Sequence, residues 1–224
     1  MKRSLKYNIS QRIRLIESYI NKKIINSFNY KGLIIIGCGR SGTTYTAKLF
    51  RKNGYKIGHE RLKVNGIASW YLVSDQQKEL FGPSLHSIKK TDFPIVHQVR
   101  NPIDAISSFQ SIGKPSWEFI YNEKDIQINK YDSLILKCMK YWYYWNLKAE
   151  NKAIYTYRIE NIDNELYKLA QITKIELSFK NFDLSRKTNT RSHAGLNWHD
   201  LEITDYKLAK KIKELSKRYG YDHD

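Results

Sequence analysis

Apolar residues in this chain gather in short runs, and polar stretches with helical periodicity lie between them. Residues 33–36 form a wholly apolar run rich in isoleucine, which is typical of a buried strand in a parallel sheet. Less regular apolar stretches predict further strands, at residues 55–58, 95–99 and 153–157. The intervening stretches predict helices, at residues 43–53, 66–75, 134–151 and 161–171, and from residue 102 and about residue 197 onward. This alternation predicts an α/β domain built on a parallel sheet.

The first 29 residues form a separate segment with its own pattern. Apolar side chains recur here at intervals of three and four residues, at Leu5, Ile9, Ile13, Ile16, Ile20 and Ile24. The spacing predicts an amphipathic basic helix over residues 5–28, ahead of one domain that spans residues 30–224. We expect the apolar stripe to pack against that domain with the charges solvated. Association of the helix with a membrane surface is the alternative.

Two other stretches are rich in aromatic residues. Residues 113–130 are otherwise polar, and they are predicted to form an inserted loop or lid rather than core. Residues 141–145 read YWYYW, and adjacent aromatic residues cover every face of a helix, so some of them must be buried. Trp70 and Tyr71, in the helix predicted over residues 66–75, are assigned to the core in preference to stacking on a sugar.

Composition limits the kinds of partner that the chain can have. The 224 residues suit one domain with a sizeable core, and 39 Lys and Arg against 22 Asp and Glu give a net charge of +17. This excess favours polyanionic partners, which include nucleic acid, acidic lipid, acidic glycan and a phosphorylated cofactor. Many lysines stand beside Asn, Ile and Tyr, a bias that AT-rich coding also produces, so the charge does not by itself indicate a specific nucleic-acid role.

The cysteines and the hydropathy pattern bear on the cellular location of the protein. Cys38 and Cys138 show neither metal-binding nor redox spacing, which is typical of a protein from a reducing compartment. No apolar run approaches the roughly 20 residues needed to span a bilayer. We therefore predict a soluble, cytoplasmic protein, with peripheral membrane contact through the first helix as the open alternative.

A glycine-rich loop follows the first predicted strand. Glycines at positions 37, 39 and 42 let the backbone turn tightly, and a helix is predicted to begin at Thr43. A strand, such a loop and a helix N-terminus together direct backbone N–H groups and the positive end of the helix dipole at one point. The loop therefore predicts a phosphate or sulfate site. It departs from the Walker A pattern, because Thr43 stands where the lysine belongs and the cation, Arg40, lies inside the loop.

A second informative stretch covers residues 94–110. An apolar strand is predicted to end at Arg100, and Asn101-Pro102 then starts a helix that contains Ser108. An arginine at a strand end can bind phosphate through two hydrogen bonds, and a hydroxyl on the next helix adds a third contact. Arg100 also stands where a metal-dependent NTPase would need a carboxylate for Mg²⁺, which argues against that class.

Together these two stretches resemble the PAPS-dependent sulfotransferases (PAPS is 3′-phosphoadenosine 5′-phosphosulfate). In that family Lys or Arg precedes Ser-Gly-Thr-Thr in the first loop, and Arg-[Asn/Asp]-Pro is followed by Ser eight residues after the Arg. The resemblance implies a three-layer α/β/α fold with P-loop NTPase-like topology. It also implies that the first loop binds the 5′-phosphosulfate and that Arg100 and Ser108 bind the 3′-phosphate. The implied loop contacts are Gly39, Arg40, Ser41, Gly42, Thr43 and Thr44.

The resemblance extends to the general base and to the tail of the chain. Glu60 lies twenty residues after Arg40, the interval at which several glycan and tyrosine sulfotransferases carry their catalytic glutamate. His59 and His86 are alternative bases, since the small-molecule branch of the family uses histidine. A basic loop near the C-terminus closes over the cofactor in the family, and Arg191 is the residue chosen for that role here. The alternatives for that closure are Arg186, Lys187 and His193.

The function implied is transfer of a sulfuryl group from PAPS to an acceptor hydroxyl, with a carbohydrate as the favoured acceptor. Glu60 and Arg40 are the implied catalytic residues, and no metal is expected. Two other classes stay open: an ATP-dependent P-loop kinase or NTPase, and a binding protein that keeps the nucleotide site without turnover.

Overall fold

The computed structural model describes residues 2–28, 30–76, 81–88, 91–174 and 195–222. Within them five strands form one sheet: β1 (Leu33–Gly37), β2 (Gly58–His59), β3 (Gly66–Ser69), β4 (Ile95–Val99) and β5 (Tyr155–Arg158). The helices are α1 (Lys2–Phe28), α2 (Thr43–Lys52), α3 (Leu85–Ile88), α4 (Pro102–Phe109), α5 (Lys114–Tyr121), α6 (Leu134–Glu150), α7 (Ile162–Thr173), α8 (Trp198–Thr204) and α9 (Tyr206–Arg218). Short 3₁₀ turns at Tyr71–Val73 and Ile159–Asn161 follow β3 and β5.

The sheet is parallel, with strand order β2-β3-β1-β4-β5. The chain leaves the central strand β1 towards β2 and β3 on one side, and it then returns to β4 and β5 on the other. An open parallel sheet binds ligands at the carboxyl ends of its strands where the strand order reverses. The predicted α/β class with a parallel sheet is confirmed, and the topology places the loop after β1 at that position.

Helices cover both faces of the sheet, and β1 shows why its sequence is apolar throughout. Leu33 and Ile35 are buried in the cluster that includes apolar residues of α2 and α7. Ile34 and Ile36 are buried in the larger cluster on the other face, with residues of α4, α6 and α9. A strand covered on both sides has no solvent face to occupy with polar residues, so alternation disappears. The three-layer prediction is confirmed.

Two local predictions are wrong. Residues 66–75, predicted as a helix, form β3 and a 3₁₀ turn, because this apolar segment lies between β1 and β2 with all four strand residues buried. Short apolar runs of this kind do not reveal by periodicity whether they are strand or helix. Residues 113–130, predicted as a lid, include helix α5, whose Trp117, Phe119 and Ile120 are buried in the core.

Helix α1 forms as predicted but lies on the domain differently. Four isoleucines of the expected packing stripe are 51–61% exposed: Ile9, Ile13, Ile16 and Ile20. Polar contacts instead attach the helix. Glu17 forms ion pairs with Arg61 and Lys63, and the Ser18 hydroxyl accepts a hydrogen bond from the Leu62 N–H at 3.0 Å. None of the helices in the described ranges combines the length and apolar character needed to cross a bilayer.

Candidate functional site

The loop between β1 and α2 has the backbone geometry that an anion site needs. Gly42 precedes α2 with φ of 91°, and no side chain caps this helix. The first N–H groups of a helix lack partners within it, and the positive end of the dipole lies there. Gly42, Thr43 and Thr44 also line a cleft. The N-terminus of α2 therefore offers hydrogen-bond donors to that cleft.

Neighbouring elements hold this loop in place. The Gly39 N–H donates to the Tyr141 hydroxyl of α6 at 3.0 Å, and Gln98 Nε2 of β4 donates to the Ser41 carbonyl at 2.6 Å. The Ser41 hydroxyl donates back to the Cys38 carbonyl at 2.7 Å, so this side chain stabilises the turn. Burial raises the pKa of Tyr141 well above its ordinary value, which keeps the phenol neutral as the partner of Gly39.

The two predicted anion-binding stretches meet at the carboxyl ends of β1 and β4. Arg40, with φ of 62° in the left-handed region, donates from Nε to the Ser108 hydroxyl of α4 at 2.8 Å. Arg100 donates from a terminal nitrogen to the Arg40 carbonyl at 3.2 Å, and it lies 3.7 Å from Asp104. Parallel pairing of Gly37 with Gln98 places these strand ends side by side. Residues sixty positions apart in the chain thus form one cationic cluster.

Glu60 lies directly after β2 and lines the same cleft as Arg40. Its φ is 55°, its carboxylate accepts from Arg14 of α1 at 2.6 Å, and the other oxygen accepts from the Trp70 indole at 3.2 Å. The side chain is 17% exposed. Two donors from different elements therefore fix the orientation of this carboxylate at the edge of the cleft.

The two histidines proposed as alternative bases differ in position. His59 lines the cleft, and its Nε2 lies 3.0 Å from the Thr44 hydroxyl and 3.4 Å from the Thr43 hydroxyl. Burial lowers the pKa of His59, an effect that the nearby charge of Glu60 opposes. His86 is exposed in the short helix α3 and does not line the cleft.

The cleft has a volume of about 420 Å³. Of the residues predicted for the anion sites, Ser41 and Ser108 are buried and do not line it, whereas the others in the described ranges do. Tyr45, Trp70 and Tyr141 also line it, as do residues of the segment from the end of α4 into α5: Ser111, Ile112, Gly113, Ser116 and Ile120. The assignment of Trp70 to the core is confirmed, since it is 8% exposed, but its position in the cleft lining was not predicted. Correct assignment of β3 would have placed Trp70 at the carboxyl edge of the sheet. Gly113, Ser116 and Ile120 lie in the stretch predicted as a lid, whereas nothing in the pattern indicated a role for Tyr141 or Arg14.

The tail and one cluster of carboxylates remain to be placed. Arg191 and its alternatives in the tail lie outside the described residues. Asp75, Glu123 and Asp125 bring three carboxylates within 4.8 Å of one another, but Lys148 contacts all three, at 2.6 Å from Asp75 and 2.8 Å from Asp125. A lysine ammonium already occupies the place that a cation would take there.

Comparison with known proteins assigns the chain to no family. No protein-family model and no curated protein matches the chain. Among solved structures, the chain is similar to mouse sulfotransferase SULT7A1 complexed with PAP, with 13% sequence identity and a TM-score of 0.37. The alignment covers 87% of this chain and 66% of that one, so the chain spans slightly less than two thirds of that structure. A likeness of this size does not assign the chain to a family.

Proposed function

We propose that this chain transfers a sulfuryl group from PAPS to an acceptor hydroxyl. The observation that carries the proposal is the direct contact between the two anion-binding stretches, in which Arg40 binds Ser108 at 2.8 Å and Arg100 binds the Arg40 carbonyl. A donor that carries anionic groups at both the 3′ and the 5′ position of its ribose requires two neighbouring anion sites in one cleft. The cluster supports such a pair of sites.

The residues of the cleft suit this donor. The N-terminus of α2 and Arg40 would hold its 5′-phosphosulfate, through the backbone N–H groups of Gly42, Thr43 and Thr44 and through the guanidinium. Arg100 and Ser108 would hold its 3′-phosphate, and Arg191 is proposed to close over it. The volume of about 420 Å³ lies within the range of small-molecule sites. When bound, PAPS supplies the sulfuryl group that is transferred.

Glu60 is the proposed general base, which takes the proton of the acceptor hydroxyl. Arg14 and Trp70 each occupy one of its oxygens, and a carboxylate oxygen accepts more than one hydrogen bond, so each oxygen retains a position for the acceptor. His59 is the weaker alternative, because its ring nitrogen already contacts two threonine hydroxyls.

Arg40 is the proposed second catalytic residue. Its guanidinium and the N–H groups at the start of α2 would stabilise the negative charge that develops between the sulfuryl group and the leaving phosphate. These donors are fixed before reaction by Ser108, Gln98 and Tyr141. The protein's own cations thus supply the stabilisation for which a kinase uses Mg²⁺.

We propose a carbohydrate as the acceptor. Trp70, 8% exposed, contributes a small apolar part of the lining beside Glu60, and Ser111 and Ser116 add hydroxyls to the same cleft. Hydroxyl groups near an apolar side chain suit the polar edge and apolar face of a sugar ring. Phenols and tyrosine peptides are the competing acceptors to be tested.

The test is sulfuryl transfer from radiolabelled PAPS to panels of saccharides, phenols and tyrosine peptides. Glu60→Gln is expected to lower the transfer rate about 10²–10⁴-fold while the affinity for the product 3′-phosphoadenosine 5′-phosphate is retained. Glu214→Gln, at an exposed position of α9, is the matched control and should keep wild-type transfer.

The other classes predict different results. A kinase or NTPase would require ATP and Mg²⁺ and would ignore PAPS. A binding protein would retain the bisphosphate nucleotide but transfer nothing to any acceptor, and its behaviour would be the same with Gln at position 60. Either result would overturn the proposed reaction.

A further inference from the structure

Helix α1 presents an apolar stripe away from the domain. Ile9, Ile13, Ile16 and Ile20 follow intervals of four, three and four residues, which places them on one face of the helix. Each is more than half exposed, at 51%, 53%, 61% and 51%. At 1.5 Å per residue the stripe is ~17 Å long. We call these four isoleucines the outer stripe.

The domain holds α1 in the orientation that exposes the stripe. Arg14 pairs with Glu60 at 2.6 Å, and the Glu17 carboxylate lies 2.6 Å from the Lys63 ammonium. The Ser18 hydroxyl binds the Leu62 N–H, and Ile25 near the end of the helix is buried in the core. These contacts lie on other faces of the helix, so exposure of the outer stripe is the result of specific anchoring.

The charged residues of α1 are almost all basic. The sequence of α1 contains one acidic residue, Glu17, and its charge is paired with Arg61 and Lys63 of the domain. Its basic residues are Lys2, Arg3, Lys6, Arg12, Arg14, Lys22 and Lys23. Arg12 and Lys23 are exposed beside the stripe, and so is Tyr19, an aromatic residue of the kind found at membrane interfaces.

We propose that α1 binds, through the outer stripe, to the surface of a bilayer that contains anionic phospholipid. An apolar stripe bordered by Lys and Arg matches acyl chains below a layer of negative headgroups. A second copy of the chain is the less suitable occupant, because contact between two α1 helices would bring their basic residues together in a protein of net charge +17. This inference concerns a surface outside the cleft and is independent of the proposed reaction. Because Arg14 of the same helix binds Glu60, a docked helix would hold that edge of the cleft near the lipid.

The experiment is co-sedimentation of the full chain with vesicles of phosphatidylcholine alone or with phosphatidylserine added. Binding is expected only with phosphatidylserine, and the double variant Ile13→Ser/Ile16→Ser should weaken it at least about tenfold, since insertion scales with buried apolar area. The matched control is Ile154→Ser/Ile203→Ser, which removes two isoleucines that are 67% and 72% exposed elsewhere. That control should bind as the wild type does.

Several results would overturn the proposal. Absence of binding to either vesicle would do so, as would equal loss in the control variant. If the outer-stripe variant binds the vesicles as tightly as the wild type does, the attraction is electrostatic and involves no insertion. That result would also contradict the proposal. Sedimentation equilibrium of the same proteins tests the other occupant: a dimer that the outer-stripe variant dissociates, with no vesicle binding, would assign the stripe to self-association.

Discussion

The buried histidine of β4 predicts a defined dependence of stability on pH. His97 is fully buried, its Nε2 lies 3.0 Å from Asn146 Oδ1, and its Nδ1 lies 3.2 Å from the Thr156 hydroxyl. Burial lowers the pKa of His97 from 6.5 to about 4, although the hydrogen bond to Asn146 acts in the opposite direction. The imidazole is therefore neutral in the folded protein near neutral pH.

The direction and the magnitude of this pH dependence of stability follow from proton linkage. The unfolded chain binds a proton at His97 more readily than the folded chain does. The stability that the neutral, buried His97 contributes is therefore present above the unfolded pKa of 6.5, and it decreases as the pH falls towards 4. A shift of this size corresponds to ~3 kcal/mol in full, of which ~2 kcal/mol is lost between about pH 7 and about pH 5.

Urea unfolding at these two pH values tests this magnitude. In His97→Gln, which keeps an amide donor and acceptor but cannot titrate, the loss of unfolding free energy between the two should be smaller than in the wild type by ~2 kcal/mol. His199→Gln, at an exposed position of α8, is the control and should keep the wild-type dependence. Other titrating groups, His59 included, contribute equally to all three proteins. Equal pH dependence in His97→Gln and the wild type would refute the reasoning.

Two substitutions, one in α6 and one in the loop after β1, test how that loop is held. Tyr141→Phe removes the acceptor of the Gly39 N–H and leaves a buried donor unpaired. Denaturant titration should therefore show an unfolding free energy lower by about 1–3 kcal/mol. The control is Tyr143→Phe, at a half-buried position of α6, which should leave the unfolding free energy unchanged. Gly42→Ala places a Cβ on a residue with φ of 91°, 3.0 Å from the Ile159 side chain. The unfolding free energy should fall by about 1–2 kcal/mol, and nucleotide binding should weaken. Full stability and full affinity in this variant would show that the loop geometry is not required.

Much of the framework could be predicted from the sequence because its signals are local. The apolar run of residues 33–36 is rich in isoleucine and is followed by glycine, which favours a strand covered on both faces, and the observed β1 ends one residue later. The spacing of glycines in a strand-to-helix turn predicts an anion site, and the observed loop has the backbone geometry that such a site needs. The proximity of Arg40 and Arg100 was predictable because both follow strands whose carboxyl ends share one edge of the sheet.

The errors arise where long-range contacts decide the outcome. The segment Gly66–Ser69 is a strand because β1 and β2 pair with it on either side, which its own four residues do not reveal. The anchoring of α1 depends on Arg14 and Glu17 finding partners more than forty residues away, so the stripe that the pattern assigned to the core is exposed. A helical wheel locates a stripe, but it does not identify the surface that covers it.

Titration calorimetry with 3′-phosphoadenosine 5′-phosphate tests the central claim most directly, because the claim requires one cleft to hold two separate anions. We expect binding without Mg²⁺, and tighter binding than that of adenosine 5′-monophosphate, which lacks the 3′-phosphate. Arg100→Ala should lower the affinity for the bisphosphate about 10–100-fold, the loss of hydrogen bonds to a charged group, and should leave the monophosphate affected far less. Lys210→Ala removes the same charge at an exposed position of α9 and should bind as the wild type does. Binding of ATP with Mg²⁺ in preference to the bisphosphate, or equal affinity for the two adenosine nucleotides, would contradict the account.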